Sequence, residues 1–62
     1  MNTECKFYVY RNGKLVFSTD WQSMAEAIDT GLILRTRFTP KDGFSMYAQD
    51  REISLGQMTE VV

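Results

Sequence analysis

Residues 6–18 read KFYVYRNGKLVFS, and this stretch decides the fold. It is rich in β-branched and aromatic residues, which are enriched in strands. The pair Asn12-Gly13 interrupts it, and this dipeptide between apolar runs is the strongest short-range signal for a β-hairpin. The stretch therefore predicts two antiparallel strands joined by a tight turn.

The length of the hairpin loop decides which side chains share a face, because a slip of one residue exchanges the two faces. A two-residue loop, Asn12-Gly13, mixes apolar and polar side chains on both faces. A three-residue loop, residues 11–13, pairs Val9 with Leu15 and collects the apolar side chains on one face, so we prefer it. The opposite face then carries Tyr8, Tyr10, Lys14, Val16 and Ser18.

A helix is predicted after the hairpin. Thr19 and Gln22 fit a capping box, and Gly31 is placed to end the helix in the left-handed conformation. Glu26 and Asp29 point outward, which predicts an acidic helix exterior. The apolar residues at helical spacing are Trp21, Met24, Ala25, Ile28 and Leu32; we interpret Trp21 and Met24 as core.

A second hairpin is predicted in the following residues. Residues 32–39 alternate apolar and polar side chains with the period of two that is typical of a half-buried strand. Residues 40–43, PKDG, have turn chemistry, and residues 44–49 alternate again. The outer face of this hairpin would carry Arg35, Arg37 and Tyr47.

These elements predict an α+β fold with the order ββαββ, in one domain that spans residues 1–62. Its antiparallel sheet has four strands, or five if Ile53 and Leu55 form an edge strand, and one helix covers one face of the sheet. Residues 56–62 are weakly patterned, and we interpret them as a loose tail.

The composition excludes several classes of function. Seven Lys and Arg against eight Asp and Glu give a net charge of -1, so a bulk electrostatic attraction to nucleic acid or membranes is not expected. The sequence has no His, and Cys5 is its single cysteine. We therefore predict no metal site, no cofactor and no enzymatic activity. A lone thiol suits the cytoplasm, and we find neither an export signal nor an apolar run long enough for a membrane span.

The sheet face that the helix leaves uncovered is the predicted functional surface. Tyrosine and arginine are enriched in interface hot spots, because they bury a large area and still satisfy their polar ends. We expect this face to bind a larger protein partner and to inhibit or modulate it. The predicted partner-binding residues are Tyr8, Tyr10, Lys14, Val16, Arg35, Arg37 and Tyr47.

Several alternatives remain at this point. Aromatic side chains interleaved with Arg can stack bases and hold phosphates, so single-stranded nucleic acid is the second hypothesis, less favoured because no recognised motif is present. The sheet face can also join two copies in a homodimer, or the acidic helix can be the functional surface. The tail, with Met58, Val61 and Val62, can instead cover the face. The small size resembles in kind the accessory proteins of phages and mobile elements, an association that no residue carries.

Overall fold

The computed structural model describes residues 4–52 and 59–61. The elements in this part of the chain are β1 Glu4–Arg11, β2 Lys14–Ser18, β3 Gln22–Ser23, α1 Met24–Arg37, a 3-10 turn Pro40–Asp42, β4 Phe44–Asp50 and β5 Thr59–Glu60. The strands pair antiparallel in the order β2-β1-β4-β5, and β3 also pairs with β1. This architecture confirms the predicted α+β class, with an antiparallel sheet of about five strands and one helix.

The C-terminal segment is described only in part. Ile53 and Leu55, where we predict an edge strand, lie outside the described residues. Of the predicted loose tail, residues 59–61 are described. Two of them form β5, which pairs with β4 through Tyr47 and Glu60. This part of the tail is therefore a strand at the sheet edge.

The first hairpin has the two-residue loop, so the preferred three-residue loop is wrong. Asn12 and Gly13 have φ values of 54° and 79°, which are both left-handed. Two such residues twist the loop in the sense that the flanking strands require. Arg11 then pairs with Lys14.

The three-residue loop is preferred from the sequence because it collects apolar side chains on one face. In the structure a β-bulge in β2 has part of this effect. Tyr10 pairs with Leu15, but Val9 pairs with Phe17, so Val16 is the extra residue. The extra residue returns Phe17 to the face of Val9, which is the buried face of the sheet. The predicted face is therefore confirmed for Phe17 and is wrong for Leu15, which shares the face of Tyr10.

The helix begins four residues later than predicted. Ser23 is its N-cap: the Ser23 side chain accepts a hydrogen bond from the Glu26 N–H, and the Glu26 side chain accepts one from the Ser23 N–H. The predicted cap, Thr19, instead closes the hairpin against β1. Its N–H donates to the Phe7 carbonyl, and its Oγ1 accepts from the Phe7 N–H, both at 3.0 Å.

The helix also continues through the segment that we predict as a strand. It ends at Arg37, and Gly31 lies in its interior. The prediction of a strand over residues 32–39 is wrong because Ala27, Gly31 and Leu34 are all buried at the spacing of one helix face. The face continues to Phe38, which packs against the core just after the helix.

The core lies between α1 and one face of the sheet. Val9 and Met46 pair across β1 and β4 and are fully buried. The other buried hydrophobic residues in the described part of the chain are Cys5, Phe7, Ala27 and Leu34. The interpretation of Met24 as core is wrong, since its side chain is 47% exposed. The sheet face opposite α1 is left without a covering layer among the described elements.

Candidate functional site

The uncovered face of the sheet is built by the residues that alternate with the core. On β1, Cys5, Phe7 and Val9 are buried, so the side chains between them point away from α1. Directly paired residues share a face, and the pairs are Lys6 with Gln49, Tyr8 with Tyr47, and Tyr10 with Ser45. We call this surface the open face. On β1 and β4 it comprises Lys6, Tyr8, Tyr10, Ser45, Tyr47 and Gln49, all of them half-buried.

Each tyrosine of the open face has a specific contact with another side chain of that face. The rings of Tyr10 and Tyr47 meet edge to face, with centroids 5.5 Å apart and planes at 83°. The Tyr8 hydroxyl donates a hydrogen bond of 2.8 Å to Gln49 Oε1. Such contacts fix the rings before any ligand arrives, which lowers the entropy cost of binding.

A shallow depression lies beside the edge-to-face pair. It is lined by Tyr10, Gly13, Ser45 and Tyr47 and is open to solvent. Two of its four lining residues are aromatic, and Ser45, Tyr10 and Tyr47 each carry a hydroxyl group. A depression of this chemistry accepts an apolar side chain and can satisfy one or two polar atoms next to it.

Trp21 extends the aromatic surface past Lys6. The Lys6 Nζ lies 5.5 Å from the Tyr8 ring centroid and 5.8 Å from that of Trp21. The Arg51 guanidinium lies 5.3 Å from the Trp21 ring and forms an ion pair with Glu4. Both cations are within the range of cation–π attraction. Trp21, interpreted from the sequence as core, is therefore a half-buried residue of this surface.

The structure brings together only some of the predicted partner-binding residues. Tyr8, Tyr10 and Tyr47 lie side by side on the open face. Lys14 is placed elsewhere, because it pairs with Arg11, whose guanidinium lies 5.0 Å from the Phe44 ring on the core side of the sheet. Val16 is the bulge residue of the edge strand and is 49% exposed.

The predicted placement of Arg35 and Arg37 on the sheet face is wrong. Both are exposed and lie in the last turn of α1, where their positive charges interact favourably with the negative end of the helix dipole. The helix exterior also carries the exposed acidic residues Glu26 and Asp29. It is therefore mixed in charge, and the prediction of an acidic helix exterior is wrong.

The sequence contains a second helix-start signal, which is compatible with the observed position of Trp21. Ser23 and Glu26 form the S-x-x-E pattern of a capping box, as do Thr19 and Gln22 in the S/T-x-x-E/Q form. The Ser23–Glu26 box starts the helix after Trp21 and leaves Trp21 beside β1. Gln22 and Ser23 then pair with Cys5 and Glu4.

The described part of the tail does not cover the open face. Glu60 pairs with Tyr47 at the edge of β4, and the Val61 N–H donates a hydrogen bond to the Met46 carbonyl. Val61 packs against the core cluster, on the side of α1. Met58 and Val62, which the covering alternative also invokes, lie outside the described residues.

Cys5 is the one nucleophilic thiol of the sequence, and its surroundings disfavour the thiolate. Burial raises the pKa of this thiol, and the negative charge of Asp50 raises it further, against a smaller lowering by a hydrogen bond from the Lys6 backbone. Within residues 4–52 and 59–61, no cluster of three or more Cys, Asp and Glu side chains is arranged to hold a metal ion.

The single helix of the described residues does not have the length and apolar character needed to cross a membrane. Comparisons with protein families, with curated proteins and with solved structures found no match to this chain. The geometry of the open face is therefore the basis on which a function can be inferred.

Proposed function

We propose that this protein acts without catalysis, in the cytoplasm, by binding a larger protein through the open face and inhibiting or modulating it. One observation carries the proposal. Tyr8, Tyr10, Tyr47 and Trp21 lie together on the side of the sheet away from α1, half exposed and fixed by their own contacts. Tyrosine and tryptophan are the residues that most often dominate binding energy at protein interfaces.

The charges around the aromatic residues favour a protein over single-stranded nucleic acid. Arg35 and Arg37, which supported the nucleic-acid hypothesis, lie on the helix instead. The cations beside the rings are Lys6 and Arg51, and Arg51 is already paired with Glu4. Binding to a nucleic-acid backbone draws on several cations that contact phosphates. An aromatic surface with one available cation is better suited to a protein.

The test is affinity capture from the native host, followed by mass spectrometry, with wild type, Tyr47→Ala and Tyr10→Ala. We expect each substitution to reduce capture of the same partner by at least about tenfold, since a hot-spot truncation costs about 2 kcal/mol or more. Ile33→Ala is the matched control, because it removes an exposed apolar side chain from the helix. Circular dichroism must show that all variants are folded.

Three results would contradict the proposal. Folded Tyr47→Ala and Tyr10→Ala variants that retain the partner would show that the open face is not the binding surface. A salt-dependent shift of a labelled single-stranded oligonucleotide, lost in the same variants, would favour the nucleic-acid hypothesis. Light scattering that shows a dimer in wild type and a monomer in Tyr47→Ala would assign the face to self-association.

A further inference from the structure

Among residues 4–52 and 59–61, Lys6 is the one cation of the open face that forms no ion pair. Lys6 lies over the rings of Tyr8 and Trp21, and no carboxylate of the described residues forms an ion pair with it. Arg51, on the other side of Trp21, is neutralised by Glu4. The amino group of Lys6 is therefore held in place by aromatic contacts and remains available to an anionic group of a ligand.

The opposite end of the same surface has a different character. The depression between Tyr10 and Tyr47 is uncharged, and Glu60 lies beside it, paired with Tyr47 across β4 and β5. A carboxylate bound near Glu60 would be repelled, whereas an apolar side chain would fit between the rings. The surface therefore has one end that attracts an acidic side chain and one end that accepts an apolar one.

The strand geometry fixes the distance between these two ends. Lys6 and Tyr10 lie on β1 four residues apart and on the same face. At about 3.4 Å per residue they are about 14 Å apart. Two side chains four positions apart on an extended peptide have the same separation, and they also point to the same side.

We propose that the open face binds an extended segment of its protein partner, which carries an Asp or Glu side chain and an apolar side chain four positions away from it. The carboxylate pairs with Lys6 beside Trp21, and the apolar side chain enters the depression between Tyr10 and Tyr47. This inference rests on the proposed function, because it names the chemistry of the segment that the open face recognises.

The test uses a library of random nine-residue peptides, selected on the full-length protein and then measured as labelled peptides by fluorescence anisotropy. We expect the wild type to select peptides with Asp or Glu four positions from an apolar residue. Lys6→Met keeps the length and packing of the side chain but removes its charge. We expect it to weaken binding about tenfold and to reduce the dependence of binding on salt.

The matched control is Lys14→Met, which removes a lysine from the other side of the sheet and should leave peptide binding unchanged. The inference is wrong if no peptide is selected, if the selected peptides lack the acidic residue, or if Lys6→Met binds them as wild type does. It is also wrong if an unlabelled single-stranded oligonucleotide binds in place of the peptides. If Tyr47→Ala still loses the captured host protein, the proposed function stands without this inference; if that variant retains it, the function itself is rejected.

Discussion

Gly31 lies against the ring of Phe7 in the contact between the helix and the sheet. A Cβ atom placed on Gly31 would lie 3.4 Å from Phe7 Cζ, at the close end of ordinary van der Waals contact. Gly31 is in the interior of α1 and its φ is not in the left-handed region. The sequence places Gly31 at the helix end, where alanine would be unfavourable. The structure places it inside the helix, where alanine should be tolerated.

We expect Gly31→Ala to stabilise the protein by about 0.5 to 1 kcal/mol, because alanine has the higher helix propensity and its methyl group fits beside Phe7. In a domain of this size that corresponds to a rise in melting temperature of a few degrees, on the order of 5 °C. The measurement is thermal unfolding followed by circular dichroism.

Gly43→Ala is the matched control, because Gly43 has a φ of 89° at the end of the 3-10 turn. There the same substitution forces a Cβ into the left-handed region and should destabilise by about 1 to 2 kcal/mol. A Gly31→Ala variant that loses as much stability as Gly43→Ala would contradict the fit of a methyl group between α1 and Phe7.

The error at Gly31 shows where sequence patterns stop being sufficient. Residues 32–39 alternate like a strand, and Ile33 and Thr36 are β-branched, so local preference favours a strand. Packing decides otherwise, since Gly31 and Leu34 extend the buried face that begins at Ala27. A glycine buried in the interior of a helix cannot be told from a glycine that ends a helix without knowing that Phe7 lies opposite.

The sequence predicts only the part of the open face that lies on β1 and β4. The predicted placement of Tyr8, Tyr10 and Tyr47 on this face is confirmed, because side chains alternate with a period of two on β1 and β4. The arginines were misplaced together with the false strand. Trp21 was missed because the sequence offers two capping boxes, and only the pairing of β3 with β1 selects the second.

The two candidate caps can be distinguished by hydrogen exchange. We expect Ser23→Ala to destabilise by about 1 kcal/mol and to speed exchange of the Glu26 amide, whose hydrogen bond it removes. Thr19→Ala should instead speed exchange of the Phe7 amide, which donates to Thr19 Oγ1. Amide exchange measured by NMR gives both rates. If Thr19→Ala changed exchange in the first turn of the helix instead, the cap would be misassigned.

The pair of Val9 and Met46 should be the most sensitive part of the core. Neither side chain is exposed at all. Met46→Ala should lower the free energy of unfolding by about 2 to 5 kcal/mol, because the substitution leaves a cavity where a fully buried side chain was. A domain of this length has a total stability of roughly 3 to 9 kcal/mol, so this variant should be largely unfolded or melt far below wild type.

Ile33→Ala is the comparison for Met46→Ala, since Ile33 is 56% exposed on the helix. Its cost should stay within about 0.5 kcal/mol by urea unfolding. Equal losses at the two positions would contradict the burial of Met46 beneath the helix.

The Cys5 thiol should make stability depend on pH above neutrality. Burial, with the charge of Asp50, raises the pKa of the folded thiol above its ordinary value of 9.0. Below that value the thiol is protonated in both the folded and the unfolded state, and its contribution to the free energy of unfolding is present in full. As the pH rises further the unfolded state loses its proton first, so the free energy of unfolding falls until the pH passes the folded pKa.

Urea unfolding of wild type and Cys5→Ala from pH 7 to 10.5, with reductant present, isolates this contribution. Every other residue is common to both proteins, so the contributions of the rest of the chain cancel in the difference. We expect the unfolding free energy of wild type to fall relative to that of Cys5→Ala as the pH rises above about 9. A difference that stays constant over the whole range would show that the thiol is not shielded in the folded protein, and the packing of β1 beneath the helix would then need revision.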